Sequence, residues 1–285
     1  MGKYKIANVI IDFKYISDTF FKDSFKHYKV NDDIIADFKI SSKCNDVILD
    51  NKEVDFLNNK NKKVYLDSDL EVMDIYNKNK TFITTRIKTS KDKKIVKIEF
   101  NRQVGENLAE YEYVLTGIYF LTMCLEKGLI PIHASAINYN NDAILFSAPS
   151  TTGKSTQARL WKKVFDEVEF INDDKPLIAF EDNEFYVYGS PWSGKDGINQ
   201  NKKVKLKAII FLNQSKDNFI RELSNKEKLE LLFKNIHRPQ ETIVYDKLLK
   251  KLDGLIKNID ILNLNCNMDN DAVATLHKRL YKEKW

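Results

Sequence analysis

Thr152-Gly153-Lys154-Ser155-Thr156, within the run SAPSTTGKSTQARLW, sets a glycine, a cation and two hydroxyls in an order that suits a phosphate tail. Phosphate carries concentrated negative charge, and backbone amides at a helix N-terminus bind it through the helix dipole and hydrogen bonds together. On that reading Lys154 reaches the β- and γ-phosphates and Ser155 holds Mg2+. Gly153 lets the backbone close on the anion, and Pro149, Ser150, Thr151, Thr152 and Thr156 complete the loop. Gly-Lys-Ser alone arises readily by chance, so its surroundings have to decide.

Four further groups offer chemistry. FINDDK ends an apolar run in Asp173-Asp174, a pair able to hold Mg2+ and to accept a proton from a hydroxyl; taken alone, it is equally an ordinary strand-end turn. His133 could orient a carboxylate or pass a proton near neutral pH, and its plain alternative is a hydrogen-bonded core histidine. In YGSPWSGKDG, which concentrates Gly189, Pro191, Gly194 and Gly197, Lys195 could meet a transferring phosphoryl group and Trp192 could line an acceptor pocket. A β-turn anchored by the tryptophan is the competing explanation. Arg238 is either an anion contact or a solvated helix end, and His237, His27 and His277 receive no role.

These residues need a scaffold. AILF enters the loop as a buried strand and STQARLWKKVF leaves it as a helix, the strand-loop-helix order that phosphate binding requires. A helix crossing back then returns EVEFINDDKPLIAF as extended chain, which brings both carboxylates near the loop. LIPIHASAINY precedes AILFS as its strand partner, and EFYVYGS, LKAIIFL and DILNLNC read as further strands. Ser224 with Glu227 forms a capping box for a helix, and another runs from Asp269 toward the C-terminus. Strands and helices alternating in this way predict an α/β half.

Three blocks, PIHASAINYNNDAILFSAPSTTGKSTQARLW, FINDDKPLI and YGSPWSGK, together resemble the HPr kinase/phosphorylase superfamily. More distantly they are similar to ATP-dependent phosphoenolpyruvate carboxykinase. The resemblance lies in the second half of the chain, mainly in Ile132 to Lys195. It implies a P-loop core of that type, with ATP and Mg2+ as cofactors. His133 falls on the family's histidine, Ser150 to Ser155 on its loop, and Asp173 with Asp174 on its acidic pair, which handles metal and the acceptor proton. The implied activity is an ATP-dependent kinase acting on a serine-type hydroxyl of a peptide, a protein or a small molecule, with the reverse phosphorolysis left open. Ala148, which Pro149 pushes toward extended backbone, stands where the full phosphate-loop pattern has glycine, and Thr151 stands where the family has it. A second reading follows: a weak or inactive nucleotide-binding module that recognises a peptide or protein.

The whole chain sets outer bounds. Its 285 residues are 43% hydrophobic, enough for a substantial core. A formal net charge of +5 is dispersed along the chain, which argues against a nucleic-acid-binding arm and suits anionic substrates. Three cysteines without metal-ligand spacing suggest reduced thiols in the cytoplasm. The most apolar run, YVLTGIYFLTMCL, is too short to span a bilayer and reads as a buried helix, so no membrane association is expected. Leu108, Tyr111, Leu115, Ile118, Tyr119, Thr122 and Leu125 recur at helical spacing, and Gly128 is placed to end that helix. Residues 1–105 are expected to form a β-rich region, with KIANVIIDF, DIIADFKI, KVYL, TFITTRI and KIVKIEF as strands and acceptor recognition as its role. Residues 106–285 are expected to form the nucleotide-binding kinase domain. Homo-oligomers occur in the family the chain resembles, but these residues argue for no interface.

Overall fold

The computed structural model describes residues 1–46, 48–50, 60–149, 152–194, 197–239 and 242–282. The protein is mixed α/β and divides into two units, Met1–Met123 and Cys124–Trp285.

The first unit holds β1 (Gly2–Ile6), β2 (Val9–Lys14), the short helix α1 (Lys22–Phe25), β3 (Lys29–Val30), β4 (Phe38–Asn45), β5 (Lys62–Asp67), β6 (Leu70–Tyr76), β7 (Ile83–Ser90) and β8 (Ile95–Asn101). They form one sheet in the order β3-β1-β2-β4-β8-β7-β6-β5. KIANVIIDF is not one strand but a hairpin that reverses at Ala7, where φ is 51°. The usual Gly or Asn-Gly turn signal is missing there, so apolar residues run on through the reversal. DIIADFKI contributes only its last residues to β4, which continues through the polar SSKCN. The sequence reading omitted β6, because Glu71 and Asp74 interrupt its apolar residues. Asp74 is nonetheless fully buried, and Arg86 makes this tolerable by gripping it with two nitrogens at 2.6 and 2.8 Å.

Helix α2 (Leu108–Glu126) crosses the division between the units. Gly128, at φ 77°, ends it as anticipated, its amide donating to Leu125 O at 2.9 Å. The helix is not buried all round. Phe120, Met123, Cys124 and Leu125 are buried, whereas Tyr111, Val114 and Ile118 are exposed. The buried line runs instead through Glu112, Thr116, Phe120 and Cys124, four residues apart, and its polar members are satisfied. Glu112 accepts from the amides of Ile16 and Ser17, and the Thr116 hydroxyl donates to Glu112 O at 2.7 Å.

The second unit continues with β9 (Ile130–Pro131), β10 (Ala134–Tyr139), β11 (Asp142–Ser147), α3 (Lys154–Val164), β12 (Glu169–Asp174), β13 (Leu177–Glu181), β14 (Glu184–Tyr188), β15 (Lys203–Gln214), β16 (Phe219–Glu222), α4 (Asn225–Asn235), α5 (Thr242–Asn258), β17 (Asp260–Cys266) and α6 (Asn270–Tyr281). The sheet order is β12-β10-β11-β15-β14-β13-β9, with β17 between β15 and β16. One edge of β15 pairs with β11; the other serves β14 at Lys203–Lys205 and β17 at Ala208–Gln214. The β11-β15 and β15-β17 seams are parallel. β11 and the Ala208–Leu212 part of β15 are continuous apolar runs because helices cover both faces, whereas β17 sets the buried Asn263 among its apolar residues. On one face Leu232, Leu248, Leu252 and Leu255 pack on Leu145, Ile209 and Ile261. On the other, Ala158, Trp161 and Leu276 pack on Ile144, Phe146 and Leu264.

Two runs read as single strands are in fact broken. LIPIHASAINY splits at Ile132-His133, so that β9 joins β13 while β10 joins β11 and β12. EVEFINDDKPLIAF splits at Lys175-Pro176 between β12 and β13. The capping box at Ser224 forms as read, with Glu227 accepting from the Ser224 amide at 2.9 Å. The sequence reading did not separate α5 and β16. Among the described residues, no helix is long and apolar enough to cross a membrane.

Candidate active site

The loop after β11 takes its shape from what lies beneath it. Phe146 and Ala148 are buried in the same cluster as Ala158 and Trp161 of α3, which ties the end of β11 to that helix. The Thr152 amide donates to Pro149 O at 3.3 Å, and Gly153 caps the helix at φ 117° without any side-chain cap. A Cβ on Gly153 would meet nothing within 4 Å, so the backbone angle and not crowding is what calls for glycine there. The uncapped first turn leaves amide donors at the N-terminus of α3.

Lys154 opens that helix and is only 9% exposed. Its Nζ donates to Ala148 O at 3.1 Å and Pro149 O at 3.4 Å. Burial lowers its pKa below the ordinary 10.5; Asp174 and Asp173 oppose this shift, and the like charge of Lys175 adds to it. Lys154 therefore sits within electrostatic reach of both acids.

Pairing of β10 with β12 sets Ser135 opposite Asp173 and Ala134 opposite Asp174. The two acids then diverge. Asp173 Oδ1 accepts from Ser155 Oγ at 2.9 Å and from Ser135 Oγ, and the two hydroxyls are 3.4 Å apart. Asp174 Oδ1 lies 2.6 Å from His133 Nδ1 and 3.0 Å from Lys175 Nζ. Lys175 Nζ is also 3.0 Å from His133 Nδ1, but one ring nitrogen cannot accept from the lysine while it donates to the carboxylate. The shorter contact to an acceptor-only carboxylate requires the proton on Nδ1. Burial would raise the pKa of Asp174, but the His133 hydrogen bond and the charge of Lys175 outweigh it and leave the carboxyl below its ordinary 3.8. The backbone at Asp174 has φ 131°, a region that L-residues rarely adopt.

The groups around these acids hold them in place. His133 N donates to Asn235 O at 2.7 Å, and its carbonyl accepts from Ser147 Oγ at 2.8 Å. Asn172, fully buried in β12, accepts from the Lys175 amide at 2.8 Å and donates to Ser190 O at 2.7 Å; Ser190 Oγ donates back to Lys175 O at 2.7 Å. The glycine-rich segment is thus fastened to the acidic strand. A Cβ on Gly189 would lie 2.1 Å from Gln200 O, and one on Gly194 would lie 3.2 Å from Asp173 O. Trp192 is 2% exposed, which suits an anchor for this turn better than the wall of an open pocket.

The anticipated residues are brought together in part. Ser155 meets Asp173 and His133 meets Asp174, while the Lys154 ammonium bonds the Ala148 and Pro149 carbonyls within electrostatic reach of both acids. Pro149 accepts from Lys154 and Thr152, and Thr156 lies in the first turn of α3. Ser150, Thr151 and Lys195 lie outside the described residues. The anticipated metal set Ser155, Asp173 and Asp174 does not converge as a trio, because Asp174 turns toward His133 and Lys175. Among the described residues, no cluster of three or more His, Cys, Asp or Glu side chains could hold a metal ion on its own. His237 donates its amide to Pro131 O at 3.0 Å, and burial together with the charge of Lys175 lowers its pKa, so it sits nearer the site than anticipated. Arg238 is exposed. His277 lies in an aromatic core beside Tyr139, 3.2 Å from its hydroxyl. The sequence reading missed Ser135, Lys175 and Asn172. Ser135 and Asn172 were detectable as polar residues inside buried strands, and Lys175 as the neighbour of the acidic pair.

No protein-family model matches the chain, and no curated protein matches it. Among solved structures the chain is similar to the Hpr(Ser) kinase/phosphatase from Coxiella burnetii. That likeness has 14% identity and a TM-score of 0.23, and covers 45% of this chain and 92% of the other. A likeness this low carries no argument about activity, so the case for function rests on the residues of this chain.

Proposed function

We propose that the protein is an ATP-dependent kinase of the P-loop type that transfers the γ-phosphoryl group to a serine-type hydroxyl of a peptide, protein or small molecule. The observation that carries this reading is the division of labour between the two acids beside an uncapped helix N-terminus. Asp173 gathers the Ser135 and Ser155 hydroxyls, whereas Asp174 is kept ionised by His133 and Lys175. The first-turn amides of α3 and the Lys154 ammonium would hold the phosphate tail. The Ser155 and Asp173 oxygens fit Mg2+, which commonly takes only one or two carboxylates besides substrate phosphates and water. Bound with the nucleotide, the metal neutralises charge on the phosphates. Asp174, oriented by His133 through Nδ1-H, would accept the hydroxyl proton while Lys154 stabilises charge on the transferring group. Positioning and electrostatics dominate such catalysis, so no covalent protein intermediate is required.

The test is incubation with γ-labelled ATP and candidate serine peptides or hydroxyl compounds. Wild-type protein transfers label, and Lys154→Ala abolishes transfer with an unchanged far-UV circular dichroism spectrum. Transfer at the wild-type rate by Lys154→Ala would overturn the assignment. Nucleotide binding without any transfer would favour the inactive binding module.

A further inference from the structure

Folding gathers on one face charge that the sequence spreads out. The strands of the first unit bury alternate residues, so Lys14 of β2, Lys39 and Lys43 of β4, Lys97 of β8 and Lys88 of β7 share the face opposite the buried Phe13, Ile40, Ile98 and Ile87. Strand pairing makes these lysines neighbours. Lys14 stands beside Ser41, Ser41 beside Lys97 and Lys97 beside Lys88, while Lys39 and Lys43 flank Ser41 along β4. Arg86 on the same face is committed to Asp74. The acids that these four strands place there are Asp12, 3.1 Å from Lys39, and Glu99, 3.3 Å from Lys43 and 3.2 Å from Lys88. Lys14 and Lys97 are exposed and have no ion-pair partner among the described residues. Like charges set directly opposite each other, as Lys88 and Lys97 are, destabilise a sheet, so the arrangement favours a negatively charged partner over the bare face.

Beside Lys39 the same face opens into a cavity of about 470 Å³, where Ile35, Ala36 and Ile95 line it. Ile35 is 89% exposed, an unusual setting for a large apolar side chain next to a concave surface. Asp37 and Asp92 also border the cavity, but they accept from the amides of Ile10 and Lys94, at 2.9 and 3.1 Å. An apolar hollow that runs into a lysine-rich face suits a ligand with both characters. A nucleic acid fits less well, because Phe13 and Phe100 are buried away from this face and offer no platform for stacking bases. Asp12 and Glu99 would also repel a run of phosphates, whereas carboxylates carried at intervals along a chain can be set between them.

We propose that this face docks an acidic peptide segment, whose carboxylates meet Lys14, Lys43 and Lys97 and whose apolar side chain enters the cavity beside Lys39. This gives the first unit a partner of defined chemistry and is independent of the nucleotide reading of the second. Attraction between exposed charges is screened by salt, so the affinity should fall steeply as ionic strength rises. The cavity supplies the part of the affinity that salt does not screen, and with it the choice among acidic segments.

Fluorescence anisotropy of the full chain with a dye-labelled peptide, one leucine set among glutamates and glycines, tests the proposal. Lys14→Glu combined with Lys97→Glu changes only exposed positions and should weaken binding at least about tenfold. Replacing the peptide's leucine by serine, or Ile35→Ser in the protein, should weaken it about threefold or more through lost apolar contact. Absence of binding, or binding that survives the double charge reversal, overturns the proposal. So does equal affinity for a peptide with lysine in place of glutamate, or for the serine-substituted peptide. Tighter binding of duplex DNA or of phosphatidylglycerol vesicles than of the peptide would mean that the face reads charge alone, and would equally refute it. The assay contains no nucleotide, so its failure leaves the kinase reading standing.

Discussion

Asp174 sits in surroundings that favour its neutral form, yet it stays ionised because His133 and Lys175 share one of its oxygens. The sign of the linkage follows. With its folded pKa below the ordinary 3.8, Asp174 contributes stability that is fully present above the unfolded value and is lost as pH falls through the folded one. Acid sensitivity from this residue therefore falls below about pH 4. Asp174→Asn should flatten unfolding free energy against pH in that window. Lys175→Met removes one of the charges that hold the pKa down, so the acidic limb of a kcat/KM profile should move to higher pH. An unmoved limb would show that Asp174 is not the group titrating in catalysis. His133 and both acids were legible from residue type and order. The separation of the acids was not, because it depends on which strand face Ser135 shares with Asp173.

The elements explain where sequence reading succeeded and where it slipped. Strand β11, helix α3 and the capping box of α4 carry strong local signals and were all legible. The breaks at Ile132-His133 and Lys175-Pro176 were not, since apolar residues continue on both sides and only pairing with different neighbours separates the strands. Both breaks place site residues at strand ends, where side chains can leave the sheet's own pattern. The glycine-rich segment was legible as a loop with a shape to hold, and the contacts at Gly189 give the reason. A methyl group there would lie 2.1 Å from Gln200 O and 2.9 Å from Ile171 O, both main-chain atoms that cannot swing away. Gly189→Ala should cost about 2–3 kcal/mol or more in urea denaturation, an overpacking penalty that also shifts the acidic strand. Gly197, at φ 63° with open space around it, is the matched control, and its alanine variant should cost only about 1 kcal/mol. Equal costs at the two positions would mean that the segment yields to accommodate the methyl.

At the scale of the molecule, each unit has its own sheet, and all three tryptophans, Trp161, Trp192 and Trp285, belong to the second. Tryptophan fluorescence thus reports on the second unit alone, whereas far-UV circular dichroism reports on both. Units with their own sheets are expected to depart from a single two-state transition, so the two signals should give different denaturation midpoints. Coincident midpoints would show the units melting together. Within the second unit, β15 carries β11 on one edge and β17 on the other, both in fixed parallel register. Those two strands end at the loop before α3 and at the segment before α6, respectively. A slip of one residue along either seam would shift one end by about 3.3 Å and turn its side chains to the opposite layer. The common register on β15 is therefore a single rigid ruler that fixes how far the loop before α3 stands from the segment before α6.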